Sequence, residues 1–270
     1  MNRSAGPVNV LLKVLFTLLY GVPMLWIVLT SFKTSGDVFG ESALLFSPVT
    51  TAYAEALNGQ LYTALGQSLI IAAGTTAFTL AIAVPAGYGL ARISGWITTI
   101  GLGLLIVFQM LPQTANVIPL YQVFGSWGLL DQTVGVIIAD TALLTPFAVI
   151  LLRPFFRAVP IEMEEAAALD GAPVRRTFWS IVLPMARNGV ATTGTLVFLL
   201  SWGEFLYAVN FFLSPGQYPL SALLAQQVSA FGINWPGLMA LSVLTSIPVL
   251  LIYAVSYRLL RDGLTVGAVK

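Results

Sequence analysis

The sequence predicts an all-α integral membrane protein with six transmembrane helices, and three observations predict it. The chain of 270 residues is 57% hydrophobic and only 9% charged, whereas soluble domains carry about 25% charged residues, too many for this chain to match on a water-facing surface. Its apolar residues gather in six long runs, each near the roughly 20 residues that cross a bilayer as a helix. Its positive charges fall almost entirely on one side of the arrangement those runs generate. The runs are continuous rather than alternating, which separates them from barrel strands.

The first run, Leu11–Phe32, is too long for the apolar region of a signal peptide and is not followed by a small-residue cleavage site, so a retained helix is expected. The second, Leu65–Arg92, carries a stripe of Ser68, Ala72, Thr75 and Thr79, a pattern that packs helices together more often than it lines a pore. The third, Ile97–Tyr121, places Gln109, Gln113 and Asn116 on one expected face, open to either a pathway or a packing role. The fourth, Thr133–Leu152, contains Asp140 beside Thr141. The fifth, Gly189–Leu213, contains Trp202, Glu204, Tyr207 and Asn210, with Tyr207 one turn from Glu204. The sixth is Pro236–Leu259. Pro23, Pro85, Pro112, Pro119, Pro146 and Pro248 fall within these runs and are compatible with membrane helices, whose neighbours satisfy the freed carbonyls.

An intramembrane carboxylate faces a cavity or a partner, because hydrocarbon cannot solvate it. For Glu204 both solute contact and a buried hydrogen bond stay open; for Asp140 a hydrogen bond between helices is favoured. Trp202, Glu204, Tyr207 and Asn210 offer the aromatic faces and hydrogen-bonding groups that a sugar needs, although not on one face. Gln109, Gln113, Asp140, Trp202, Glu204, Tyr207 and Asn210 are therefore the candidate pathway residues.

Six spans put both termini on one side. Arg3, Lys13, Arg92, Arg153, Arg157, Arg175, Arg176, Arg187, Arg258, Arg261 and Lys270 share that side and only Lys33 lies opposite, eleven of the twelve Lys and Arg. The positive-inside rule makes that side cytoplasmic. A net charge of +1 lacks the basic face of a nucleic-acid binder. The absence of cysteine and histidine excludes disulfides, thiol chemistry, the usual zinc sites and histidine triads. The sequence contains no G-x-x-x-x-G-K-[ST], so it holds no P-loop for ATP, and no nucleophile elbow or metalloprotease motif.

The largest cytoplasmic loop has about 35 residues, many more than a joint between two spans requires. Its sequence reads as two short helices around a tight turn. Pro160 suits the first turn of a helix. Glu162, Glu164 and Glu165 lie near the positive end of the helix dipole. Ala166, Ala167 and Ala168 extend it, and Asp170-Gly171 ends it. Pro173 opens a second helix with Arg175, Arg176, Phe178, Trp179, Ile181 and Leu183, before Pro184 bends the chain toward the fifth span.

These residues resemble the EAA motif of permease subunits of binding-protein-dependent ABC importers. That motif reads EAA, three residues, Gly, nine residues, Ile, one residue, Leu-Pro. Here Glu165-Ala166-Ala167, Gly171, Ile181 and Leu183-Pro184 occupy every defining position. The segment Ile118–Ile138 and the tail Gly263–Lys270, read as GLTVGAVK, are similar to carbohydrate permeases, and the tail, together with six spans and no large insert, resembles the second permease of maltose and glycerol-phosphate type importers. The chain departs from common members at Gly203, where an asparagine often stands.

The resemblance implies a type I ABC importer permease fold forming a single transmembrane permease domain over residues 1–270, with a cytoplasmic coupling loop at 158–184. It implies a non-catalytic permease of a bacterial inner-membrane importer, moving a carbohydrate delivered by an extracytoplasmic solute-binding protein. The expected partners are a second, homologous permease and two ATPase subunits. No cofactor is expected on this chain, ATP and Mg being bound by the ATPases. The implied coupling residues are Glu162, Glu164, Glu165, Ala166, Ala167, Asp170, Gly171, Arg175, Arg176, Phe178, Ile181, Leu183 and Pro184, with Gly267 and Lys270 of the tail. Two alternatives remain: the same machine for an amino acid, polyamine or anion, and a proton-coupled secondary transporter using Asp140 and Glu204.

Overall fold

Lipid offers no partner to a peptide group, so an apolar run that enters it folds as a helix and satisfies its backbone internally. The computed structural model describes residues 7–40, 44–57, 59–229 and 232–266 and follows this logic over most of its length. Helix α1 is Pro7–Thr30, followed by the short helices α2, Ser35–Val38, and α3, Thr51–Ala56. The long helix α4 is Gly59–Arg92; α5 is Trp96–Met110, α6 is Gln113–Trp127 and α7 is Thr133–Arg157. The loop after α7 forms α8, Glu162–Leu169, and α9, Val174–Thr177, then a π-helical turn at Phe178–Val182 and α10, Leu183–Met185. Helices α11, Arg187–Trp202, α12, Leu206–Phe211, and α13, Leu220–Ala225, lead to the antiparallel hairpin of β1, Val228–Ser229, and β2, Gly232–Ile233, and to α14, Trp235–Val266.

Four of the six expected spans, α1, α4, α7 and α14, are continuous helices long and apolar enough to cross a membrane. The third is instead a pair, α5 and α6, bent by 88°. Leu111 is extended, with φ −65° and ψ 126°, because the ring of Pro112 disfavours a helical residue before it. This corrects the expectation of one polar face: Gln109 lies on α5, while Gln113 and Asn116 lie on α6. The fifth is also interrupted. Its helix stops at Trp202 and resumes at Leu206, leaving pieces of 16 and 6 residues, each below spanning length.

The chain divides into two compact units. The first joins the residues up to Tyr62 with Leu223–Ile247, and the second joins Thr63–Ala222 with the chain from Pro248 onward. In the first unit, Lys33 is buried with its Nζ 4.9 Å from the Trp26 ring centre and 5.0 Å from that of Phe46, a cation held over aromatic faces.

In the second unit α7 is the central helix. Its N-terminal half contributes Val136, Ile137 and Ala139 to a cluster with Ile71, Phe124, Tyr207, Phe211 and Phe212. Its C-terminal half contributes Leu144, Ala148, Val149, Leu152 and Phe156 to a second cluster with Ala83, Val84, Phe178, Val182 and Val197. Small residues permit the close approach: a Cβ at Gly87 would stand 3.1 Å from Leu152 Cβ, and one at Gly194 3.0 Å from Leu80 Cδ1. The stripe of Ser68, Ala72, Thr75 and Thr79 is buried throughout, as a packing face requires. Some span hydroxyls bond back to their own helix, Thr76 Oγ1 to the Ala72 carbonyl at 2.7 Å and Thr145 Oγ1 to that of Thr141 at 2.6 Å, while the buried Thr75 and Thr79 hydroxyls have no partner among the described residues.

Candidate functional site

The loop between α7 and α11 is built on one turn. Helix α8 ends with the Gly171 amide bonded to the Ala168 carbonyl at 3.0 Å and the Ala172 amide reaching the Ala167 carbonyl at 2.9 Å. This is the Schellman pattern, and it needs a left-handed residue at Gly171, where φ is +78°. A Cβ there would meet nothing within 4 Å, so the demand for glycine is conformational and not steric. Pro173 then caps α9, its carbonyl accepting the amides of Arg176 at 2.8 Å and Thr177 at 3.1 Å.

The turn sorts the expected coupling residues onto two faces. Glu162, Glu165, Ala166, Asp170, Gly171, Arg175, Arg176 and Pro184 are exposed. Ile161, Met163, Leu169, Val174 and Trp179 add large exposed apolar side chains, with Leu169 at 90% exposure. A surface of this kind, apolar residues rimmed by charge, is the composition of a docking patch. Ala167 and Phe178 face inward, and Ile181 and Leu183 are half-buried. Gly267 and Lys270 lie outside the described residues.

Glu164 also turns inward. Its Oε1 accepts Arg92 Nε at 2.7 Å and lies 2.5 Å from Arg92 Nη2, while its Oε2 accepts the Tyr88 hydroxyl at 2.6 Å. The same guanidinium donates through Nη1 to the Phe156 carbonyl at 3.0 Å and through Nη2 to the Val159 carbonyl at 3.1 Å. The Tyr88 ring packs 4.9 Å from Phe178 and 6.0 Å from Phe156. Sequence reasoning used Arg92 only as an orienting charge and passed over Tyr88. The spacing of four that puts Tyr88 and Arg92 on one face of α4 was readable; their partner on α8 was not.

The carboxylates of Asp140 and Glu204 both accept hydrogen bonds from within the protein. Glu204 sits in the break before α12 and caps it: Oε1 accepts the Tyr207 amide at 2.8 Å and Oε2 the Ala208 amide at 3.2 Å. Gln113 Nε2 also donates to Oε1 at 2.8 Å, so the bent α5–α6 pair and the broken fifth span meet at this carboxylate. Asp140 is fully buried, with Oδ2 accepting Ser201 Oγ at 2.7 Å; its Oδ1 has no hydrogen-bond partner among the described residues. Trp202 stacks on Phe198 at 5.9 Å and Tyr207 on Phe211 at 5.2 Å, and Asn210 Nδ2 bonds the Leu206 carbonyl at 2.7 Å. Gln109 is exposed on α5.

A roomier concavity of this second unit lies elsewhere. A cavity of about 720 Å³ is lined by Ile82, Phe108, Leu111, Asn116, Pro119, Thr141, Thr145, Pro146 and Tyr207 among others. That volume is within the roughly 300–1,000 Å³ of small-molecule sites. Of the seven pathway residues expected, only Tyr207 lines it. Thr141 and Thr145 were missed as candidates because each reads as an ordinary span hydroxyl. A small void beside Glu204, lined by Ser68, Ser201 and Trp202 among others, measures only about 10 Å³, room for about one water molecule.

Comparison with known proteins shows what the loop and spans belong to. Residues 83–266 match the family described as the binding-protein-dependent transport system inner membrane component. The sulfoquinovosyl glycerol transport system permease protein SmoH of Agrobacterium fabrum is 30% identical over 251 residues, covering 92% of this chain and 88% of that protein. The trehalose transport system permease protein SugB of Mycobacterium tuberculosis is 31% identical over 264 residues, 95% of this chain and 96% of that one. Among solved structures, a chain of a bacterial ABC transporter involved in import of the acidic polysaccharide alginate superposes with a TM-score of 0.78 at 24% identity, covering 96% of this chain and 98% of its own. The fold is therefore that of a type I ABC importer permease, an all-α multi-pass membrane protein. The chain belongs to the family of binding-protein-dependent transport system inner membrane components.

Proposed function

We propose that this permease is the membrane subunit of an ATP-driven importer that moves a carbohydrate delivered by an extracytoplasmic solute-binding protein. It acts as one permease domain beside a second, homologous permease, with two ATPase subunits on its cytoplasmic side and both termini in the cytoplasm. Hydrolysis belongs to the ATPases, which bind ATP and Mg; this chain carries no P-loop and its part is mechanical. The observation that carries the reading is the loop, where a left-handed Gly171 turn presents a charged and apolar face on α8 and α9 while the other face is packed against α4 and α7. A rigid element of this kind converts a displacement of a docked subunit into a displacement of spans.

The sugar assignment draws support from relatives whose names specify sulfoquinovosyl glycerol, diacetylchitobiose and trehalose transport. The test is reconstitution of the complete transporter with its binding protein in liposomes, with a panel of oligosaccharides, amino acids, polyamines and anions. Uptake that requires ATP and the binding protein, and that selects a carbohydrate, is expected. Uptake of a non-sugar solute would replace the substrate class, and uptake driven by a proton gradient without ATP would overturn the mechanism.

A further inference from the structure

Arg92 joins three elements with one guanidinium. It sits at the last residue of α4, pairs with Glu164 on α8, and donates to the carbonyls of Phe156 and Val159 at the end of α7. Those carbonyls lie at a helix C-terminus, where the macrodipole favours a cation. The arrangement is reciprocal, because Arg153 of α7 donates through Nε to the Leu90 carbonyl in the last turn of α4, at 3.0 Å. Two spans that end at the same level thus cap one another with arginines, and one of those arginines also holds the coupling loop. Tyr88 completes the unit, its hydroxyl on Glu164 and its ring against Phe178, just beyond α9.

We propose that Glu164, Arg92 and Tyr88 form a transmission clamp. They are positioning residues that lock α8 to the ends of α4 and α7, so that a push on the exposed face of the loop is delivered to two spans rather than absorbed by the loop. The inference rests on the importer reading above and adds to it a division of labour between neighbouring acids: Glu165 and Glu162 face outward to the partner, Glu164 faces inward to the spans. Arginine is required, since its planar fork serves a carboxylate and two carbonyls at once, which an ammonium at the end of a flexible stem does not reproduce. The side chains of Arg92 and Glu164 are 16% and 15% exposed, shielded enough that the pair is not a solvated surface bridge.

The test has two arms. In the reconstituted complete transporter, E164A, R92K and R92A are compared with wild type for assembly, ATP hydrolysis and solute moved per ATP. Assembly with the ATPase is expected to persist, because the docking face is unchanged, while solute moved per ATP falls at least fivefold. The double variant R92A/E164A is expected to be no worse than either single one. E164Q, which keeps the size and one acceptor, is expected to lie between. If solute moved per ATP is unchanged in the complexes that assemble, the clamp is overturned, however many complexes fail to assemble.

In the second arm the full-length permease alone carries spin labels at Ile93→Cys and Leu169→Cys, both exposed sites in a chain with no native cysteine. One narrow distance distribution is expected, broadening in E164A and R92A. An unchanged distribution overturns the proposal. A wild-type transporter without ATP-driven uptake would sink the importer reading and leave this second arm to judge the clamp by itself.

Discussion

A single backbone angle sets the geometry of the loop. With φ at +78° and no atom near the missing Cβ, Gly171 can be graded by conformational cost alone. Asparagine tolerates the left-handed region best among non-glycine residues, alanine less, and a β-branched residue least. Gly171→Asn, Gly171→Ala and Gly171→Val should therefore lower transport in that order, the valine costing about 1–3 kcal/mol in the turn. Binding-protein docking should be unaffected, and hydrolysis should continue while transport falls, which parallel uptake and phosphate-release assays will read. Equal transport in all three would refute the role of the turn.

Asp131, also left-handed at φ 59°, is a second such residue, between α6 and α7. Its carboxylate accepts Ser214 Oγ at 2.5 Å and the amides of Ser214 and Leu213, both at 2.9 Å. The Ser214 hydroxyl, followed by those amides, holds its pKa below the ordinary carboxylate value. A lowered pKa means the staple is present at neutral pH and is lost as pH falls through and below about 4. Hydrogen exchange at Leu213 and Ser214, corrected for its intrinsic pH dependence, should show protection that is constant near neutrality, falls in acid and is absent in Asp131→Asn.

Elements were legible where periodicity is unbroken. The long apolar runs that became α1, α4, α7 and α14 are visible in composition, because lipid admits no other backbone solution. The two expected spans that broke did so through local chemistry weaker than their hydropathy. Pro112 reads as one of six prolines compatible with membrane helices, yet the chain turns by 88° there and a polar face is split in two. At the fifth span Glu204 is open in the sequence between a solute contact and a buried hydrogen bond, since a sequence shows a carboxylate but not the amides it points at. In the structure it caps α12 and holds Gln113. Glu204→Ala removes these bonds and should cost about 2–3 kcal/mol, and Glu204→Gln about 1 kcal/mol. Thermal midpoints of the purified permease in detergent will rank them. Loss of uptake with an unchanged midpoint would make Glu204 a solute contact and not a cap.

The whole molecule is a lipid-facing scaffold with one charged, structured loop. The EAA spacing was readable because it is local: a helix, a left-handed turn and a second helix depend on residues within one short stretch, and Gly171, Asp170 and Pro173 stand where that turn requires them. The inner anchorage was hidden because Arg92 and Glu164 are separated by 72 positions, and Glu164 reads like its exposed neighbour Glu165 until the fold distinguishes them. The candidate cavity was hidden for the same reason, its lining coming from α4, α5, α6, α7 and α12.

The central claim is that the exposed face of the loop receives a motor carried on another subunit. It is tested most directly by placing a photo-crosslinking residue at Leu169, the most exposed apolar side chain of the loop, and irradiating membranes that contain the complete transporter. The account predicts a single major adduct with a P-loop ATPase subunit, and none when the crosslinker stands at the buried Val182. Failure of Leu169 to capture an ATPase, together with undiminished ATP-dependent uptake after deletion of residues 162–177, would contradict it.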